Sequence, residues 1–350
     1  MRNSKKFFSV VLVNILILIF LLLLGEVGLR LINSNYQLYK RTYPNEYKNH
    51  IINEDYVHVV WPRKDSLLGW VCNNRHALKF SNRELNKLNI QYQINNEGFR
   101  NDFDFENQSN QNVKERILLL GDSFAFGVYL SENQTIISDL KNIGNGNLDF
   151  VNLGIPGYGI DQMFISYGRF QNLLKPNVVI VLYIDEDILR VYEAYRKGEG
   201  MNKPSFELTD DTLSLRTNDK PNIIEWIFQN SFLLNRFYHR YSEYESKNIC
   251  EKIFSSLIEK TKLNNQKLLV VRCPVKEYFA NGEQIDRYSF GDYFKNKSVR
   301  YIELFDSLYT KHIDDYDELY FKGDQHLTVY GARIVSKILE KIITNTMKDD

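Results

Sequence analysis

Two short stretches carry side chains suited to covalent chemistry, and they stand far apart in the chain. The first is Gly121-Asp122-Ser123, with Gly127 shortly after it; the second is Asp324-Gln325-His326. A serine hydroxyl is a weak nucleophile until an imidazole takes its proton, and the imidazole must itself be held in the right tautomer. An aspartate two residues before a histidine reaches back to Nδ1 and leaves Nε2 free to face a serine. Ser123 by itself reads equally well as an N-cap opening a helix. The late Asp324-x-His326 pair is what gives the nucleophile reading its weight.

These residues need elements to hold them. Ile117–Leu120 is a continuous apolar run, the signature of a strand buried on both faces of a parallel sheet. Gly121 lets the chain turn at its end, which leaves Ser123 at the carboxyl edge of the strand, where open α/β sheets bind ligands. Near the end of the chain Ile334, Val335, Ile338, Leu339, Ile342 and Ile343 recur at helical spacing, so the last helix packs one face on the core, with Thr328 as its N-cap. Asp324 and His326 then lie in the loop before it. Asn152-Leu153-Gly154-Ile155-Pro156-Gly157-Tyr158-Gly159 follows a second strand-like run. Its glycines permit close backbone approach at the same edge, although a plain glycine-rich turn would explain them too. No Gly-Lys-Ser/Thr follows, so this is not a phosphate-binding loop.

Together these motifs resemble the SGNH, or GDSL, hydrolases, over roughly residues 60 to 345. The resemblance implies Ser123 as nucleophile, Asp324 as the acid that orients the base, and His326 as the base. It also implies an oxyanion hole formed by the N–H groups of Ser123 and Gly154. No metal or other cofactor is implied. One position departs from the pattern. After Val178–Ile184 comes Asp185-Glu186-Asp187 where the family usually has Asn-Asp, so Glu186 stands in place of the asparagine that donates to the oxyanion. An ionised carboxylate cannot donate, and losing one such donor costs about 3 kcal/mol. Glu186 either is protonated and donates, or points away, or marks a site that binds without catalysing. A cation site made by the three acids is disfavoured because adjacent side chains rarely converge.

Strand-like runs at Ile117–Leu120, Leu148–Leu153, Val178–Ile184, Leu268–Val271 and Val299–Phe305 alternate with helical patterns, including Asp161–Leu174 and about Ser231–Leu263. The expected fold is α/β, a doubly wound, flavodoxin-like parallel sheet of about five strands. Residues 114–350 form this domain, with an insertion at about 188–230. In it Phe206–Leu208 and Leu213–Leu215 flank a turn and read as a β-hairpin, either a flap beside the site or a solvent-exposed decoration. Residues 33–113 read as a small β-rich extension and linker, with Val57–Trp61 strand-like and turns at Gly69-Trp70 and Asn95–Arg100.

Phe7–Leu24 is apolar and long enough to cross a bilayer, and Arg2, Lys5 and Lys6 precede it. Residues 1–32 therefore read as a cytoplasmic amino terminus and transmembrane anchor; a cleaved signal peptide is the competing reading, with only a poor cleavage site at Gly25–Leu29. The catalytic domain is then extracytoplasmic. With 44 basic and 44 acidic residues the chain has no cationic field for nucleic acid. Three cysteines, Cys72, Cys250 and Cys273, suit no zinc site and allow one disulfide at most. His50, His58, His76, His239 and His312 lack a triad-like context. The expected function is a membrane-anchored ester hydrolase or acyl transferase acting on acylated extracytoplasmic glycan or lipid. The alternative is a catalytically impaired glycan-binding or assembly protein on the same fold.

Overall fold

The computed structural model describes residues 2–32, 37–40, 62–73, 90, 92–108, 115–143, 148–196, 201–216, 220–282, 286–312 and 314–348. A long helix α1 (Arg2–Ile32) is followed by β1 (Pro62–Asp65) and β2 (Gly69–Cys72). The main domain runs β3 (Glu115–Gly121), α2 (Ser123–Phe126), α3 (Ile136–Ile143), β4 (Leu148–Gly154), α4 (Ile160–Leu174), β5 (Val178–Tyr183) and α5 (Asp185–Arg190). Four short strands come next, β6 (Tyr195–Arg196), β7 (Met201–Asn202), β8 (Phe206–Thr209) and β9 (Thr212–Leu215), then α6 (Ile223–Asn230) and α7 (Phe232–Leu263). The chain closes with β10 (Lys267–Arg272), α8 (Lys276–Asn281), α9 (Gly291–Asn296), β11 (Arg300–Glu303), α10 (Leu304–His312), α11 (Tyr316–Leu319) and α12 (Val329–Lys348).

Five strands form one parallel sheet in the order β11-β10-β5-β3-β4, the doubly wound order expected from the strand–helix alternation. Successive residues of β3 serve opposite faces. Leu118 and Leu120 pack with Phe170 of α4 and Phe254 of α7. Ile117 and Leu119 pack with Leu140 of α3 and with Val335 and Leu339 of α12. A strand apolar at every position is stable only when both faces are covered in this way, and each buried Leu or Ile contributes about 1.5–3 kcal/mol. The order reverses between β3 and β5, which makes the carboxyl edge there the switch point at which open α/β sheets bind ligands. In register, Gly121 lies opposite both Gly154 of β4 and Leu182 of β5.

The expected hairpin is β8–β9, and its central pair Asp210 and Asp211 both have positive φ, as a tight two-residue turn requires. The strand expected over Val299–Phe305 is shorter. Leu304 and Phe305 instead begin α10, where with Leu308 they form a buried helical face. In the extension, β1 and β2 pair antiparallel, so Gly69 and Trp70 open a strand instead of forming the expected turn, and Phe105–Gln108 is a single 3-10 turn. Val57–Trp61, His50, His58 and His76 lie outside the described residues. His312 is bound to Asp315, and His239 stacks near Tyr39. All three cysteines are buried free thiols rather than partly bridged, and burial pushes each of them up from the usual thiol range.

Candidate active site

β3 ends at Gly121, and Asp122 becomes the N-cap of α2, its carboxylate accepting the Phe124 N–H at 2.9 Å. This cap fixes Ser123 as the first residue of the helix, at the switch point of the sheet. The Ser123 hydroxyl donates to Asp122 Oδ2 at 3.2 Å. The same oxygen accepts from Arg190 Nη1 at 3.1 Å, and that nitrogen also reaches Tyr158 O at 3.1 Å and the Asp187 carboxylate. One largely enclosed guanidinium thus ties together the loops after β3, β4 and β5. The two carboxylates beside it hold Arg190 in its charged form, pushing it up against the effect of burial.

From the other end of the chain, Thr328 caps α12 by accepting the Gly331 N–H, and an isolated bridge between Tyr320 and Leu327 closes the preceding loop. This loop carries Asp324, whose Oδ1 meets His326 Nδ1 at 2.5 Å and the His326 backbone N–H at 2.8 Å. The imidazole lies 5.6 Å from the Phe124 ring and 5.3 Å, edge to face, from the Tyr129 ring, measured between centroids. The Asp324–His326 couple therefore sits against the residue next to Ser123. Burial acts to raise the Asp324 carboxyl, but the hydrogen bond and charge of His326, its N–H and the Tyr129 hydroxyl hold it below its ordinary value.

Tyr129 went unnoticed in the sequence. Its hydroxyl donates to Asp324 Oδ2 at 3.3 Å, and its backbone adopts φ 65° although it is not glycine. A left-handed aromatic residue is uncommon and persists where surrounding contacts enforce it. Here the Tyr129 N–H donates to the Tyr92 hydroxyl at 2.8 Å. Tyr129→Phe is expected to keep the fold and lower ester turnover about fivefold, the loss of about 1 kcal/mol for one long hydrogen bond to a carboxylate. Steady-state kinetics on a nitrophenyl ester measures it.

The extension also reaches the site. Arg100, from the Gly98-Phe99-Arg100 turn, is buried and donates to the carbonyls of Phe126, Gly127 and Leu130 at 3.0, 2.7 and 2.7 Å. Its Nε meets Glu132 at 3.0 Å, and its plane lies over the Tyr92 ring. The carbonyls at the end of the short α2 have no further helical turn to receive them, and Arg100 fills that need. Arg100→Ala is expected to destabilise the protein by roughly 3–5 kcal/mol, because three inward carbonyls and Glu132 lose one partner together. Thermal unfolding of the detergent-solubilised chain reads this directly.

Gly154 does not fit its expected role. It is the last residue of β4, and its N–H donates to Asn152 Oδ1 at 2.8 Å. It is a packing glycine, since a Cβ there would fall 2.7 Å from both Ala125 Cβ and the Phe126 nitrogen. Gly157, three residues on, is buried with φ 82°, in the turn whose Tyr158 carbonyl meets Arg190. Among the described residues neither the Gly157 N–H nor the Ser123 N–H is engaged elsewhere.

The three consecutive acids face different partners. Asp185 is gripped through both oxygens by Arg272, at 2.7 and 2.8 Å, and also receives the Tyr278 hydroxyl. Asp187 accepts the Ile184 N–H and pairs with Arg190. Glu186 differs from both: its Oε2 is buried and, among the described residues, makes no hydrogen bond. Burial pushes its carboxyl up from the usual range, and the charges of Asp185 and Asp122 push the same way, against its own N–H and Arg190.

No family model and no curated protein sequence matches this chain. Solved structures that resemble it are GDSL-type hydrolases and esterases. The psychrotrophic esterase EstA from Pseudoalteromonas sp. aligns at 12% identity and TM-score 0.42 over 67% of this chain and 100% of its own. A member of the lipolytic protein G-D-S-L family from Veillonella parvula aligns at 12% and 0.41 over 66% and 98%. The acetyl xylan esterase AlAXEase aligns at 15% and 0.42 over 65% and 99%.

Proposed function

We propose that this chain is a membrane-anchored serine ester hydrolase, or acyl transferase, of the SGNH type, acting on O-acyl groups of an extracytoplasmic glycan or lipid. The observation that carries this reading is the Asp324–His326 couple seated against Phe124, beside Ser123 at the switch point. In the reaction the Ser123 hydroxyl turns from Asp122 toward the imidazole, and its oxygen attacks the ester carbonyl while its proton passes to His326 Nε2. The alcohol leaves with that proton. The acyl-serine is then resolved by water, giving hydrolysis, or by a sugar hydroxyl, giving transfer. Asp324 holds Nδ1–H and offsets the charge on the imidazolium.

The developing oxyanion takes hydrogen bonds from the N–H groups of Ser123 and, in place of Gly154, Gly157. Glu186 in its neutral form supplies the third donor, a role supported by its buried, unpartnered oxygen. The apolar run of α1, preceded within the helix by Arg2, Lys5 and Lys6, supports anchoring with the domain outside the cytoplasm.

The test is a fluorophosphonate probe on the full chain, followed by peptide mass mapping. The expected result is a single adduct on Ser123 together with turnover of a short-chain nitrophenyl ester. A second reading, a glycan-binding protein without catalysis, is favoured by the hydroxyl's present bond to Asp122 and the glutamate at 186. No adduct alongside undiminished glycan binding would establish that reading and overturn the first.

A further inference from the structure

Helix α6 is built inside out. Its sequence, Ile-Ile-Glu-Trp-Ile-Phe-Gln-Asn, turns Glu225 and Gln229 toward the protein beside the half-buried Phe228. Glu225 accepts from the Tyr238 hydroxyl at 2.8 Å and pairs with Arg216, and the buried Gln229 amide reaches the same hydroxyl at 3.0 Å. Meanwhile Ile223, Ile224, Trp226 and Ile227 are 71%, 66%, 53% and 44% exposed. At 3.6 residues per turn these four span an arc of about 160° on one side, with Glu225 and Gln229 opposite. Phe237, Tyr241 and Tyr244 continue the exposed apolar surface onto α7. A helix with its polar face inward and its apolar face outward is matched to a non-aqueous surrounding.

The position of that face identifies the surrounding. The junction between α6 and α7 is locked to the end of α1. The Glu26 carboxylate caps α7, accepting the N–H groups of Phe232 and Leu233 at 2.8 and 3.1 Å and the Ser231 hydroxyl at 2.8 Å. Arg30 donates to Asn230 O at 2.8 Å and lies over the Phe232 ring, and Lys40 reaches the Asn230 side chain at 3.0 Å. The uncharged run Phe7–Leu24 is about 27 Å long as a helix, close to the thickness of a hydrocarbon layer. Glu26 and Arg30 then stand at headgroup height, and α6 departs from that same level.

We propose that α6 lies in the headgroup layer of the bilayer that α1 crosses, with Ile223, Ile224, Trp226 and Ile227 inserted among the lipids. This rests on the anchor reading given above. Two contacts with one membrane, a span and an interfacial helix rigidly joined by the Glu26 cap, hold the domain at a fixed tilt. Trp226 suits the role, since indole favours the interface between hydrocarbon and water.

The test uses the full chain in phosphatidylethanolamine–phosphatidylglycerol vesicles, with Ile224→Cys carrying an environment-sensitive fluorophore. The native cysteines are buried, so the label is selective. Leu263→Cys, exposed at the other end of α7, is the reference, roughly 45 Å away along that helix. Headgroup and shallow nitroxide lipids are expected to quench the Ile224 label at least fivefold more than the Leu263 label. Ile223→Ser/Ile224→Ser/Ile227→Ser is expected to fold normally, leave α1 inserted, and loosen the domain so that quenching of a label on Tyr244→Cys falls at least twofold relative to the same label with α6 unchanged. Equal quenching at both sites in vesicles that retain the protein would overturn the proposal. So would a shielded but unquenched Ile224 label, which signals a second copy or another protein on α6. Failure of the chain to float with vesicles would instead remove the anchor itself, a separate result.

Discussion

Ser123→Ala is expected to eliminate fluorophosphonate labelling and to lower ester turnover by roughly 10⁴–10⁶-fold, with the fold intact. Among the described residues the hydroxyl makes one hydrogen bond, to Asp122 at 3.2 Å, and Asp122 keeps its bonds to Phe124 and Arg190 without it. His326→Ala is expected to cost a similar factor, and the double variant no more than either alone, because hydroxyl and imidazole act as a unit. Removing Asp324 costs less than removing either, since Tyr129 and Phe124 still flank the ring. Turnover of a nitrophenyl ester at saturating substrate gives all four values. Additive losses in the double variant would mean that serine and histidine serve separate purposes, and the acyl-enzyme mechanism would fall.

The second large effect belongs to Glu186. Glu186→Ala is expected to reduce turnover by about 10²–10³-fold at acidic pH, the loss of one oxyanion donor. Glu186→Gln retains an N–H donor and loses little there. The difference lies in pH. A glutamate donates only while protonated, and this one titrates above the ordinary carboxyl range because burial, Asp185 and Asp122 favour its neutral form. Arg190 and Asp187 share its helix, Asp122 faces it from the start of α2, and Tyr278 approaches from α8. Wild-type turnover is therefore expected to fall as pH rises through the Glu186 titration, and the Gln variant is expected to lose that alkaline limb. Stability follows the same sign. The raised carboxyl contributes fully below its unfolded pKa, and this contribution is lost as pH rises through the folded value, so the Gln variant should melt higher than wild type at alkaline pH. Identical pH–rate profiles for wild type and Glu186→Gln would show that the side chain faces away from the oxyanion.

Much of the scaffold was legible because its signals are local and strong. Apolar runs bounded by glycine or polar residues gave all five sheet strands, and the Asp-x-His spacing gave the Asp324–His326 couple. The choice between Gly154 and Gly157 was not legible. Both follow the same strand, and only the register that pairs Gly154 with Gly121 leaves it inside the ladder with its N–H taken by Asn152. Nor does a tyrosine two residues after Gly127 announce a left-handed backbone; that comes from contacts with Tyr92 and Asp324, distant in sequence. The α6 segment falls within the insertion at about 188–230, where only the hairpin was legible in the sequence. Spacing fixes which residues share a face, while tertiary partners decide which face turns out.

The reach of Arg100 bears on how this protein can be divided. The α/β sheet has the look of a portable module, yet the carbonyls that end the helix opening at Ser123 are satisfied by a guanidinium from upstream. A chain shortened to begin at Glu115 would retain every strand of the parallel sheet together with Ser123, Asp324 and His326, while leaving that helix end open to solvent. Its boundary, drawn by chemistry rather than by secondary structure, falls before the Gly98-Phe99-Arg100 turn.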